Sequence, residues 1–548
     1  MMESAGRTGD AHLRSGRVRV LLVFTILLVA RGLGVYSEYF WEQDEVSLAL
    51  GVAALMADAV GSLYRYTVQL GYYRLVELLD LLSGGRIDWI PAIMKGLSAI
   101  AGALVPVAAF FAFRRELPVR ERRLVLLSLA INPIVWKSSQ YGNTAIVATA
   151  LATTSLVVLS NRPARTGKAV ALILLGLATL VRADTVLLAP VLFLLLRRSE
   201  GSFGRALKWS TAFGLAMLLL YAAILAIDPR IDGIRESITQ HMGNASPTMF
   251  WEFLMWAMSP IPLIFAVWAL RSLLDSRPWL LTLILAWCLP TLLFYFRATT
   301  TPRYMLNAVV PLSIAAAVGM AELAGRLRPR LGARLAWTII VGAAGIHLFL
   351  ALGHFSPDWP SQPLRGATFR THDGPMPTGA LLYSTYLDPG SLARSLPRPH
   401  FGRSRHRSWE GPVFTKAANI LADHDAPRRT VLVVLAGDFR HALHWHLQIA
   451  GARYISRPLR SRNPWDTETW LRLRNSRVMT VARDADDYRA PARFDLTVGD
   501  RVWVLGDEPF PDSVALSRMP PGMELLATDG FDSRIRTFHV AVRSPRVQ

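Results

Sequence analysis

The stretch Val18–Glu45, VRVLLVFTILLVARGLGVYSEYFWEQDE, sets the class of the whole chain. Its first part, Val18 to Tyr36, is almost wholly apolar and approaches the ~20 residues that a helix needs to cross a hydrocarbon core. Its second part closes on Trp41-Glu42-Gln43-Asp44-Glu45. Carboxylates placed just past a span are held at the bilayer surface, where a reaction on a lipid head group can use them.

Outward from this stretch the pattern repeats. Apolar residues make up 52% of the 548, and they come in blocks of about 15 to 22. About eleven candidate spans emerge, at 18–36, 92–113, 124–139, 143–160, 169–183, 185–196, 207–227, 249–270, 279–296, 304–323 and 335–353. The segments 124–139, 169–183 and 185–196 are short, so they are tilted little, broken near a surface or drawn too generously. The fold class expected is a polytopic α-helical membrane protein.

Arginine placement orients it. Alternate loops are basic: Arg7 to Arg19, Arg114 to Arg123, Arg162 to Lys168, Arg197 to Lys208, Arg271 with Arg277, and Arg326 to Arg334. Basic residues in short loops stay cytoplasmic. The N-terminus is therefore expected inside, and with an odd number of spans the region after 353 lies outside, as a multi-pass protein of the plasma (inner) membrane. No small-residue cleavage site precedes the acidic cluster, so the first span is expected to remain.

A net charge of +20 would suggest nucleic acid in a soluble protein. Here much of the excess belongs to loops facing anionic lipid, which argues against a nucleic-acid partner. The bias of Arg over Lys fits a GC-rich bacterial genome. The lone cysteine, Cys288, falls within a span, so the outer region has neither a disulfide nor a thiol for catalysis.

The organisation is in two parts. A membrane module covers 1–353, with a first external loop at 37–90. A Pro-rich linker covers 354–378, and an extracytoplasmic α/β domain covers 379–548. Strand-type runs occur at 380–383, 430–435 and 501–505, with a helical pattern at 439–450 between them. Residues 524–542 read as a hairpin turning at Asp529-Gly530. His441, His444 and His446 lack zinc-enzyme spacing and read as a solvated helix face.

In the first external loop, residues 46–56 and 66–82 read as helices lying in the interface. Asp44 caps the first of them, a placement that also suits a general base. Further turns expected on the same side carry Tyr141-Gly142-Asn143, Val181-Arg182-Ala183-Asp184 and Phe296 to Tyr304, which includes Arg297 and Arg303. Arg182 with Asp184 alone reads as an ion pair at a turn, and Arg303 alone as a snorkelling side chain. One carboxylate cluster together with several arginine-bearing turns suits an anionic phosphate and a base beside it.

These features resemble the polytopic GT-C glycosyltransferases that take a sugar from a polyprenyl-phosphate carrier, of the protein O-mannosyltransferase and lipid A aminoarabinose transferase type. The residues that carry the resemblance are Asp44-Glu45 after the first span, Gly61 to Tyr66 and Gly71-Tyr72-Tyr73 in the loop, Asn143, Arg182-Ala183-Asp184, and Arg303-Tyr304. They cover most of 18–325. The chain departs from many relatives in lacking a Pro-Pro pair where Leu70-Gly71-Tyr72 stands.

The resemblance implies an inverting transfer with Asp44 as general base and Glu45 beside it. Arg182, Arg303 and Arg297 would hold the donor phosphate, and Tyr72, Tyr73, Asn143 and Asp184 the sugar or acceptor. The donor would be a polyprenyl-phosphate sugar, the acceptor a glycan, protein or lipid, and membrane lipid the surroundings. Glu42, Gln43 and Asp44 carry oxygens of the kind that bind a divalent metal ion, and one acidic cluster does not decide for or against it. The residues also fit a transporter or flippase of a lipid-linked saccharide, or an oligosaccharide polymerase or ligase. A flippase is opposed by polar residues gathered on one face rather than at the midplane.

Overall fold

Prolines and glycines mark where the helices start and stop. The computed structural model describes residues 18, 20–32, 48–49, 51–53, 69–139, 142–161, 164–227, 250–251, 254, 257–258, 260–297 and 302–354, and, beyond these, 368–371, 374–377, 418–420, 430–435, 445–447, 449, 453–454, 468–473, 476–482, 498, 501–505, 523–532 and 535–542. Twelve helices are used here: α1 Val20–Gly32, α2 Leu70–Leu82, α3 Ile90–Phe111, α4 Val119–Ala130, α5 Pro133–Ser138, α6 Thr144–Asn161, α7 Arg165–Val181, α8 Ala189–Glu200, α9 Phe203–Ile227, α10 Pro260–Ser276, α11 Pro278–Arg297 and α12 Leu306–His354.

Among the described residues, five helical stretches are long and apolar enough to cross a membrane: Ile87–Phe111, Thr144–Asn161, Phe203–Ala223, Pro278–Arg297 and Arg303–Ile339. α1 is a shorter apolar helix. The short segment 124–139 is broken. α4 ends at Ala130, because Asn132 precedes Pro133 and that placement disfavours helical backbone. α5 then restarts with Pro133 in its first turn, and Asn132 Oδ1 accepts the Val135 N–H at 3.1 Å as a cap. The Asn132 amide also donates to the Ala257 carbonyl at 2.9 Å. α8 stops at Gly201, whose φ of 61° is the left-handed conformation that closes helices. α12 carries an interruption at Gly332, with φ 74°.

The chain divides into two compact units. The first comprises Met1–Ser37, Arg65–Val76 and Ala92–His406. Its core centres on α12, which packs on α10, α4 and α11. α12 crosses α10 closely at Gly319, where a Cβ would lie 2.2 Å from the Phe265 carbonyl oxygen. Small residues permit such approach between apolar helices.

At one end of this bundle the basic loops are joined by ion pairs. Arg277 grips Glu121 with two nitrogens, one at 2.9 Å. Arg198 pairs with Glu116, and Lys168 with Glu200. Loops 114–123, 162–168, 197–208 and 271–277 therefore share an end, as the alternation of charge requires.

The second unit comprises Glu38–Tyr64, Glu77–Pro91 and Arg407–Gln548. It contains a seven-stranded mixed sheet in the order β4-β5-β6-β3-β7-β9-β8. The strands are β3 Thr430–Leu435, β4 Arg453–Tyr454, β5 Glu468–Leu473, β6 Ser476–Ala482, β7 Arg501–Leu505, β8 Met523–Asp532 and β9 Ile535–Val542. β1 Thr368–Thr371 and β2 Gly374–Pro377 form a separate antiparallel ladder within the Pro-rich stretch of the first unit. The apolar β3 lies parallel to both neighbours, β6 and β7, as expected of a strand covered on both faces.

Two sequence readings change here. Asp529-Gly530 does not turn the hairpin but lies inside β8, in a bulge between Thr528 and Asp532. His446 is largely covered between buried Trp445 and Leu447, and burial pushes its imidazole down to about 4. The run 380–383 and His441 and His444 lie outside the described residues.

Asp80, near the end of α2, is wholly buried, and among the described residues neither carboxylate oxygen has a hydrogen-bond partner. Burial, and then the charge of Asp88, push its carboxyl above the usual range. The folded state therefore holds this proton more tightly than the unfolded chain. The stabilisation contributed by this group is fully present below the ordinary aspartate range and is lost as pH rises through it to the raised value. Asp80→Asn should abolish that fall and raise the unfolding midpoint at neutral pH, as read from thermal melts in detergent across the acid range.

Candidate functional site

α7 runs apolar to Val181 and ends because Arg182 takes up extended backbone, with φ −150° and ψ 117°. The chain then makes a short 3-10 turn, Ala183–Leu188, before Pro190 starts α8. At the junction, Arg182 Nε and Nη2 donate to the two oxygens of Asp184 at 2.9 and 2.8 Å. Both side chains are nearly covered, at 11% and 13% exposure. The Tyr295 hydroxyl, from α11, donates to Asp184 and accepts from Arg182 Nη2 at 3.2 Å.

Burial alone would raise the Asp184 carboxyl, but the Arg182 charge and the hydrogen bonds from Arg182 and Tyr295 outweigh it and hold it below the usual carboxylate range. The Arg182 guanidinium finds its counter-charge in the same buried place, through two hydrogen bonds to the Asp184 carboxylate. The pair stays ionised.

Over this pair sits the 3-10 turn Pro302–Met305. The Arg182 guanidinium carbon lies 4.6 Å from the centre of the Tyr304 ring, and that of Arg303 lies 5.4 Å from the same centre. Tyr304 also stacks on Tyr295 at 5.8 Å. Two arginines more than a hundred residues apart in sequence thus share one aromatic ring.

The other site residues named from sequence fall as follows. Asp44 and Glu45 lie outside the described residues. Arg297 is exposed in the last turn of α11, a favourable place for a cation. Asn143 is buried and caps α6. Its side-chain oxygen accepts the Ala145 N–H at 2.8 Å, and its own N–H donates to Ser98 Oγ at 2.9 Å. Tyr72 and Tyr73 are buried in α2. Between Leu70 and Tyr72, Gly71 lets α2 press on the last turn of α7. A Cβ there would lie 2.7 Å from Leu180 Cβ and 2.8 Å from the Leu180 carbonyl carbon. Leu180 stands two residues before Arg182, so the loop helix touches the arginine-bearing turn directly.

Sequence reasoning assigned no role to Tyr295, and named Tyr304 only as part of a motif. Tyr295 is two residues from Arg297 in an aromatic run, and nothing in that run distinguishes it from its neighbours. Among the described residues, no three His, Cys, Asp or Glu side chains are grouped to hold a metal ion.

No family model matches the sequence, and no curated protein matches it. Solved structures do match in fold. ArnT from Cupriavidus metallidurans bound to undecaprenyl phosphate superposes with a TM-score of 0.57 at 14% identity, over 96% of this chain and 99% of that one. The apo state of the same protein gives 0.55 at 14% identity, over 97% and 100%. The archaeal oligosaccharyltransferase AglB from Archaeoglobus fulgidus gives 0.45 at 12% identity, over 79% and 64%. Over nearly its whole length the chain therefore has the fold of ArnT.

Two substitutions check this geometry. Asp184→Asn leaves a nearly buried guanidinium without its counter-charge and is expected to cost on the order of 1–3 kcal/mol in chemical unfolding, with Tyr295→Phe costing less. Gly71→Ala overpacks the α2–α7 contact and is expected to destabilise by about 1–3 kcal/mol in the same assay, whereas Gly204→Ala, at a site with open space, should be neutral.

Proposed function

We propose that the chain is an integral-membrane glycosyltransferase that moves a sugar from a polyprenyl-phosphate carrier to an acceptor hydroxyl, with inversion, on the extracytoplasmic face. One observation carries the reading: Arg182 and Arg303 meet on the Tyr304 ring, at the other end of α7 from the ion-paired basic loop at Lys168. The fold is that of a protein crystallised with undecaprenyl phosphate. The arrangement of about eleven spans with the N-terminus in the cytoplasm, and of residues 379–548 as an extracytoplasmic domain, belongs to the same proposal.

In this reading Arg303 and the free edge of Arg182 grip the donor phosphate, and Arg297 adds attraction from the rim. Asp184 and Tyr295 fix the Arg182 plane, so the guanidinium meets the phosphate without reorganising. Asp44, with Glu45 beside it, takes the proton from the acceptor hydroxyl. The acceptor oxygen attacks the anomeric carbon, the bond from that carbon to the phosphate oxygen breaks, and the carrier phosphate leaves with the electron pair. Asn143 and the Tyr72-Tyr73 pair serve by holding α6 and α2 in place around the sugar and acceptor.

The test is reconstitution in vesicles with polyprenyl-phosphate sugars, following both sugar transfer and release of carrier phosphate. Asp44→Asn should fold normally and lose about 10²–10⁴-fold in transfer. Full activity in that variant would end the base assignment. Movement of intact lipid across the bilayer without cleavage would replace the transferase with a flippase.

A further inference from the structure

Arg31, near the end of α1, is wholly buried at 0% exposure in a segment otherwise apolar. An arginine inside a membrane is costly, about 2.5–3.5 kcal/mol even on insertion scales, so an apolar side chain would fill the space at less cost. Its partners show what it does instead. Nη2 donates to the Ala130 carbonyl at 3.2 Å. That carbonyl is on the last residue of α4, one of the helix-end carbonyls that have no partner within the helix. Nη1 donates to the Gly102 carbonyl on α3 and to Ser139 Oγ, just past α5, at 3.3 Å. The guanidinium also lies over Trp136 of α5, 5.5 Å from the ring centre.

α3 is shaped around this group. A Cβ on Gly102 would fall 2.8 Å from Arg31 Nη1 and 1.9 Å from Ser139 Oγ. One flat cation thus joins α1, α3, the end of α4 and α5. A lysine, with its donors at a single point, cannot span the same acceptors. α5 in turn packs on α12 and on the 302–305 turn that carries Arg303 and Tyr304.

We infer that Arg31 is a positioning residue for the donor phosphate: by pinning the broken α4–α5 segment it sets the place of the turn that bears Arg303. The inference rests on the reading of that turn as the phosphate grip. Because displacement of about 1 Å away from the chemistry can cost about 10²-fold, Arg31→Lys is expected to raise the donor KM by about 10- to 100-fold. The acceptor KM should stay near wild type, and the donor effect should remain after activity is scaled to the folded fraction.

Trp136→Leu, which removes the ring beneath the guanidinium and leaves its hydrogen bonds, should give a smaller rise in donor KM alone. The measurement uses the purified full chain, with donor and acceptor varied separately and undecaprenyl phosphate binding read directly. A uniform fall in every parameter, tracking the folded fraction, would overturn the inference, as would wild-type donor KM in both variants. If the wild-type protein neither binds undecaprenyl phosphate nor uses such donors, the underlying functional reading fails instead.

Discussion

Where water is scarce, a guanidinium and a carboxylate cannot rely on solvent, so each must find a partner in the protein, and the helical bundle is tied together where they do. At one end the partners are Glu116, Glu121 and Glu200, spread over loops whose arginines outnumber them. At the Arg182 end the carboxylate of Asp184 receives two hydrogen bonds from Arg182 and one from Tyr295. The first arrangement distributes charge among surface loops. The second concentrates it in one nearly dry pair, whose attraction is stronger for the lack of screening.

That pair also explains why a motif of two arginine turns becomes a site. Taken alone, Arg182-Ala183-Asp184 is the ion pair at a tight turn that its spacing suggests, and the structure contains that ion pair. What the spacing cannot convey is the flat face left over when the fork of a guanidinium is occupied at its edge. Tyr304 covers that face, and Arg303 reaches the same ring.

Much of the helical layout was legible because apolar length and charge alternation are both imposed by the bilayer. The weakness of segment 124–139 was visible as shortness, and Asn132-Pro133 is the physical reason for its break. Strands at 430–435 and 501–505 were legible from β-branched apolar runs, and they coincide with β3 and β7. The hairpin turn was not. Asp-Gly is a turn signal, but the same freedom of backbone serves a bulge, and only the pairing of Thr528 with Thr537 and Asp532 with Ile535 separates the two. His446 misled because polar composition says nothing of burial when Trp445 and Leu447 flank it. Tyr295 and Arg31 were silent for a related reason: their partners come from elements far away in sequence, and no local pattern marks them.

The bulge in β8 has a further consequence. β8 and β4 are the outer strands of the seven-stranded sheet, and an outer strand offers unpaired amides and carbonyls to any other chain. β4 is only two residues long, and β8 is irregular where it would otherwise be flat and continuous. One rim is two residues long and the other runs straight only over Met523–Thr528 before the bulge, so each cuts short the template that a foreign strand could extend along.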